Sequence, residues 1–219
     1  MMPTRALISK LSVGLLLLVA AWALLGAVAL YWTHKTRIEA GDFLRDLAQL
    51  EIGKSELGEV TPLVDKYHGK WRKSTTSGAG SPCGQGASVV DFMFENRWLH
   101  WSLFAPLTGF SGTIYVKDNR VCFRSMGMVI FVDGIAGVHV QEFRESPVLR
   151  PFSARLNPVK TIVTLDVGAT TEERGAAFSL NLDCLTKLRG CRDAREMAPA
   201  LWKNSREVAP TYWKSQWDD

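Results

Sequence analysis

The sequence predicts an α+β domain carried on one N-terminal transmembrane helix: after the span come a helical hairpin, an antiparallel sheet of five to seven strands and a C-terminal helix. Three observations predict it. An uncharged run of twenty-two residues lies near the N-terminus, apolar positions recur at helical spacing after it, and from residue 87 the pattern changes to the alternation of strands. With 47% hydrophobic and 22% charged residues, the 219-residue chain has a globular composition and room for one domain of ordinary size beyond the span.

The run is LSVGLLLLVAAWALLGAVALYW, residues 11–32. About 20 apolar residues cross a bilayer core of roughly 30 Å, and a helix satisfies its own backbone polar groups inside lipid. Tyr31 and Trp32 fall where an interfacial aromatic pair belongs, and His34, Lys35 and Arg37 follow as a polar collar. A cleaved signal peptide is the competing reading, because Arg5 and Lys10 resemble its basic region and Ala27-Val28-Ala29 its cleavage site. The length of the run and the collar favour an uncleaved anchor. Basic residues flank both ends, and the short N-terminal tail favours an inside N-terminus and an extracytoplasmic domain. The expected organisation is a tail at 1–10, a transmembrane helix at 11–32, an amphipathic helical segment at 33–69 and an extracytoplasmic α+β domain at 70–219.

In IEAGDFLRDLAQLEI, Ile38, Phe43, Leu47 and Leu50 keep mostly helical spacing, so the membrane helix runs on or restarts until Gly53. Ser55 is the candidate N-cap of a second helix with Leu57, Val60, Leu63 and Val64 on one side, ending at His68-Gly69. Residues 74–86 read as a surface loop. Strands are expected at 87–95, 98–104, 112–117, 120–132, 138–143, 160–167 and 176–182, with Asp118-Asn119 as a two-residue hairpin turn. Pro147, Pro151 and Pro158 exclude a central strand between 146 and 158. Asp183 is the expected cap of a last helical region containing Leu185, Leu188, Met197, Leu201 and Trp202.

Four cysteines admit three complete pairings in an oxidising compartment. Cys184 and Cys191 close a short loop and are the first pair, which leaves Cys83 with Cys122; free buried thiols are the alternative. Neither CxxC nor a Cys/His cluster at zinc-finger spacing is present, so no metal or other cofactor is expected. The formal charge is +4, and beyond Arg5 and Lys10 it falls to 24 basic against 22 acidic residues, a balance that does not point to nucleic acid.

Catalytic motifs are incomplete. Gly53-Lys54-Ser55 lacks the earlier glycine of a phosphate-binding loop, Ala48 standing in its place, and Gly109-Phe110-Ser111-Gly112 reaches Thr113 where a nucleophile elbow requires glycine. His34, His68, His100 and His139 have no partner at motif spacing; His139 and Glu142 would point to opposite faces of a strand. Glu172 and Glu173 read as solvated acids of a turn. Aromatic residues are abundant, with eight tryptophans. Core packing accounts for most, while Trp98, Trp101, Trp213 and Trp217 are candidates for contact with a ligand or the bilayer surface.

The segment LEIGKSELGEVTPLVDKYHG, residues 50–69, resembles the helical hairpin of small envelope lipoproteins of the SmpA/OmlA type. The resemblance implies a hairpin packed on a small antiparallel sheet and a role in assembling other envelope proteins. The chain departs from that family in having a membrane anchor in place of a lipobox cysteine and in its greater length. Its layout also looks like that of bacterial single-pass membrane proteins. The expected function is a membrane-anchored binding or assembly domain, with the membrane and an envelope protein as partners. The alternative is a small hydrolase of envelope polymers or lipids using His100 or His139 as base.

Overall fold

A computed structural model describes residues 4–73, 83–132, 135–145, 153–155, 160–165 and 169–204. Helix α1, Thr4–Gln49, is unbroken. Its first part, including Leu15 to Leu18, is exposed, and Ser12–Gln49 contains an apolar stretch long enough to cross a membrane of which 11% is buried. Its last turns are core: Ala40, Phe43, Leu44 and Leu47 repeat at three- and four-residue intervals and are all buried. One helix therefore supplies both an apolar stretch long enough to cross a membrane and a wall of the domain. The candidate cleavage site lies inside it, with Ala29 fully buried.

Helix α2, Leu57–Tyr67, returns across the same side of the sheet. Its cap sits one residue later than expected, at Glu56, whose backbone N–H donates to Glu59 Oε1 at 2.9 Å. Ser55 instead accepts from Glu51 N–H and donates to Glu59 Oε2, so its hydroxyl bridges the connection between the helices. His68 ends α2 in the left-handed conformation, and Gly69 N–H donates back to Val64 O at 2.9 Å.

The sheet contains β1, Lys70–Lys73; β2, Ser88–Glu95; β3, Leu107–Lys117; β4, Arg120–Val132; β5, Ile135–Glu145; β6, Ser153–Arg155; and β7, Lys160–Leu165, in the order β1-β2-β3-β4-β5-β7-β6. Strands β1 to β4 form an antiparallel meander. Asp118 and Asn119 both take positive φ, 51° and 63°, which is what a two-residue turn between right-twisted strands demands. The antiparallel pattern gives way at β5 and β7, which pair in parallel, since the intervening chain is long enough to carry a strand back in the same direction. Within it β6 occupies the sheet edge, where proline neighbours are tolerated.

Three expectations are corrected. Residues 98–104 are not a strand: Arg97–Leu103 forms helix α3, burying Leu99. Glu172 and Glu173 lie in the first turn of helix α4, Thr171–Phe178, where they face the positive helix end behind a Thr170 capping box, so 176–182 is not a strand. The last helical region is split into a 3-10 turn at Leu182–Leu185, α5 at Ala194–Met197 and α6 at Pro199–Asn204; Asn181 caps the first piece and Asp193 the second, not Asp183.

The core lies between the helices and one sheet face, with Phe43 at its centre. Its ring meets Tyr67, Phe92, Phe94 and Phe110 at centroid distances of 5.3, 4.5, 5.3 and 6.1 Å. It sits on Gly112, where an added Cβ would lie 2.5 Å from Phe43 Cζ. The cysteines pair as Cys83–Cys122 and Cys184–Cys191, with sequence separations of 39 and 7.

Two outcomes follow for stability. Gly112→Ala drives a methyl group into the Phe43 ring and displaces it within its ring cluster, and the urea midpoint of the detergent-solubilised chain falls by the equivalent of about 1–3 kcal/mol. Reduction of both disulfides costs about 2–5 kcal/mol, more of it from the longer loop, and Cys83→Ala with Cys122→Ala reproduces the larger share in the same assay.

Candidate functional site

Strands β2 and β3 are joined by α3, which projects as a finger beside the apolar part of α1. Asn96 closes its base from a buried position: its side-chain N–H donates to Pro106 O at 3.0 Å, its Oδ1 accepts from Thr108 N–H at 2.7 Å, and its backbone N–H donates to Thr108 O at 3.1 Å. Within the finger Ser102 Oγ donates to Trp98 O at 2.6 Å. A carbonyl oxygen can only accept, so the 2.7 Å contact of His100 Nδ1 with Ala105 O makes that ring nitrogen the donor. The tip, Phe104, is left-handed at φ 54° and points its ring outward. Leu99 is buried on the inner side, while Trp98, Trp101 and Phe104 are 57%, 78% and 81% exposed. The finger reaches the apolar run itself: Phe104 and Trp22 rings lie 6.3 Å apart, and a Cβ on Gly26 would sit 3.6 Å from Leu103.

Of the sequence-predicted surface residues, Trp98 and Trp101 are thus brought together on α3, whereas Trp213 and Trp217 lie outside the described residues. Phe104 completes the same surface. A signal was present, since Trp98, Trp101 and Phe104 recur every three residues around Leu99, but seven residues are too few for that period to exclude a strand. His100 Nδ1 donates to the turn, which leaves Nε2 as the acceptor of its ring; the side chain of His139 lies outside the described residues.

A cleft of about 540 Å³ opens between the end of α1, β4 and α4; Glu51, Lys54, Arg124, Thr171, Arg174 and Phe178 line it. Its polar groups hold structure together. Buried Arg124 donates to Leu47 O in the last turns of α1, where a cation complements the negative helix end, and its guanidinium lies 4.7 Å from the Phe178 ring centroid. Arg174 Nε donates to Ala169 O at 3.1 Å. Lys54 lies 2.6 Å from Glu51, and its hydrogen bond is the main reason the Glu51 carboxyl titrates below the usual range, with Arg174 and Arg124 adding to the effect. Ser111 lies within β3 and Gly53 in a turn with φ 79°, so neither partial motif forms its catalytic geometry. Among the described residues, no three His, Cys, Asp or Glu side chains converge as a metal site.

The two helices are clamped at Asp46, beyond the apolar run. Tyr67 O–H donates to Asp46 Oδ2 at 2.7 Å and Lys66 Nζ donates to the same atom at 3.0 Å. Burial alone would raise the Asp46 carboxyl, but the bonds from Tyr67 and Lys66 outweigh it and hold it below the usual carboxylate value. No protein-family model matches the chain, nor does any curated protein or solved structure. What the fold and these surfaces define is a class: an α+β domain built directly onto a helix long and apolar enough to cross a membrane.

Because Asp46 is depressed in the folded state, its stabilisation is complete above the unfolded carboxylate pKa and is lost as pH falls through the folded value. Urea midpoints measured from about pH 6 to pH 3 therefore drop less steeply for Asp46→Asn than for the parent, and the variant is the less stable of the two at the upper end.

Proposed function

We propose that the chain is an uncleaved single-pass membrane protein whose domain lies on the extracytoplasmic side and acts as a binding or assembly module for another envelope component. The observation that carries this reading is the continuity of α1 from its apolar run to Phe43 and Leu47 in the core. A domain on a flexible linker samples many heights and tilts; one built on the membrane helix presents a partner with a fixed surface, at lower entropic cost on binding. Two disulfides support an oxidising compartment. A pair of helices packed on an antiparallel meander is also the arrangement that the resemblance of residues 50–69 implies.

The surface for that partner is the sheet face opposite the helices. Ser111, Thr113, Tyr115, Ser125, Gly127 and Val129 alternate there with the buried residues of β3 and β4 and are only partly covered. Apart from Tyr115 these side chains are small and leave room for a second surface to approach. Met93 is exposed on the same face, and Asp91 is held by Arg72 and by Thr113 Oγ1, the latter at 2.8 Å.

The test is site-specific photocrosslinking in intact cells with p-benzoylphenylalanine in place of Thr113 or Ser125, read with the N-terminal mass of the extracted chain. The expected result is an uncut N-terminal region and one discrete protein adduct from both positions that Gly127→Arg abolishes. No adduct from either position, or a chain cut after Ala29, overturns the reading.

A further inference from the structure

The position of α3 along α1 carries a consequence for the membrane. Trp32, with Lys35 Nζ 5.0 Å from its ring centroid, marks the domain-side end of the uncharged run. Trp22, which meets Phe104, lies ten residues earlier, and at 1.5 Å per residue that is about 15 Å deeper along the helix. Were the bilayer surface placed at Trp22 to keep α3 in water, only Leu11 to Trp22 would remain to cross, about 18 Å of uncharged helix against a core of roughly 30 Å. Extending the crossing to Thr4 would draw Lys10 and Arg5 into the hydrocarbon. The full run crosses only if the finger lies in lipid beside it.

We propose that α3 and its tip are immersed in the acyl-chain region of the domain-side leaflet, so that the protein enters the membrane at two places: a span, and a re-entrant finger packed against it. The proposal rests on α1 being the span. It accounts for three features that a water-facing finger leaves without cause. Trp98, Trp101 and Phe104 form an exposed aromatic surface continuous with the apolar side of α1, an expensive arrangement in water and a favourable one in lipid. Ser102 and His100 satisfy carbonyl oxygens of the finger from within, and Asn96 seals its base, as a non-spanning segment in hydrocarbon requires. Phe104 occupies a left-handed helix end, where glycine is the unstrained choice, and the strain is offset by an aromatic ring at the deepest point. Arg97, at the opposite end of α3 from the tip, is paired with Glu95.

The experiment places p-benzoylphenylalanine singly at Leu17, Trp101, Phe104 or Tyr115 in the full chain reconstituted in phosphatidylcholine nanodiscs; the α3 positions tolerate it because their side chains project outward. Intact mass after irradiation reads the adducts, and both disulfides in the same spectra report that each variant has folded. The expected result is a phospholipid adduct from Leu17, Trp101 and Phe104 and none from Tyr115. Lipid adducts at Leu17 with none at Trp101 and Phe104 overturn the finger's immersion while leaving the span intact, as do covalent dimers formed from Trp101 or Phe104 in place of lipid adducts. Loss of lipid adducts at Leu17 as well overturns the span, and the finger's immersion with it.

Discussion

The seating of the Phe43 ring on Gly112 is the contact on which the rest of the domain depends. Four aromatic rings from α2, β2 and β3 close around Phe43, and they can do so only because β3 lacks a side chain where the helix crosses it. The close approach brings α1 against the sheet, where Leu47 and Val60 are buried in the same core. Because Phe43 belongs to the helix that also contains the apolar run, this packing fixes the domain to that run without a hinge.

Polar interactions then hold the helix in position. Arg124 is a costly residue to bury, and the cost is met by placing its charge at the negative end of α1 with the Phe178 ring beside it. Asp46, Tyr67 and Lys66 join the helices from the other side. Between them, the loop after Gln49 pairs with the β3–β4 turn: Gly53 N–H donates to Val121 O at 2.7 Å and Val121 N–H to Ser55 O at 2.9 Å. The helical hairpin and the strand hairpin thus stabilise each other's turns. The cleft beside Arg124 is a by-product of this joint, its cations engaged by carbonyls, a ring or a carboxylate.

Much of this was legible in the residues. The charge-free run, the strand alternation of β2 and β4, and the Asp118-Asn119 turn are local signals, because each depends on spacing within a few residues. The disulfide pairing followed from the shortest loop once two cysteines were assigned to it. Other elements were misread for a physical reason. In RWLHWSL the alternation of apolar Leu99, Trp101 and Leu103 with polar His100 and Ser102 satisfies a strand as well as a helix, and only the packing of the segment against α1, with Leu99 buried, decides between them. Thr170 with Glu173 is a capping box, but its helix is short, and the two acids at its start read equally well as a turn. Ser55 has cap chemistry, yet its hydroxyl is drawn to Glu51 and Glu59 because the turn brings both within reach.

By itself the sequence determined that one helix is long and apolar enough to cross a membrane, that strands follow it, and that the cysteines suit an oxidising compartment; all three are properties of composition and short-range period. Only the tertiary structure decided that the helix of the apolar run continues into the core, that Gly112 is the notch receiving Phe43, and that Phe104, on the same surface as Trp98 and Trp101, meets Trp22. Those are pairings between residues dozens of positions apart. The chain records them only as single residues of ordinary kind, a glycine in a strand or a phenylalanine in a helix, whose meaning depends on what folding places opposite them.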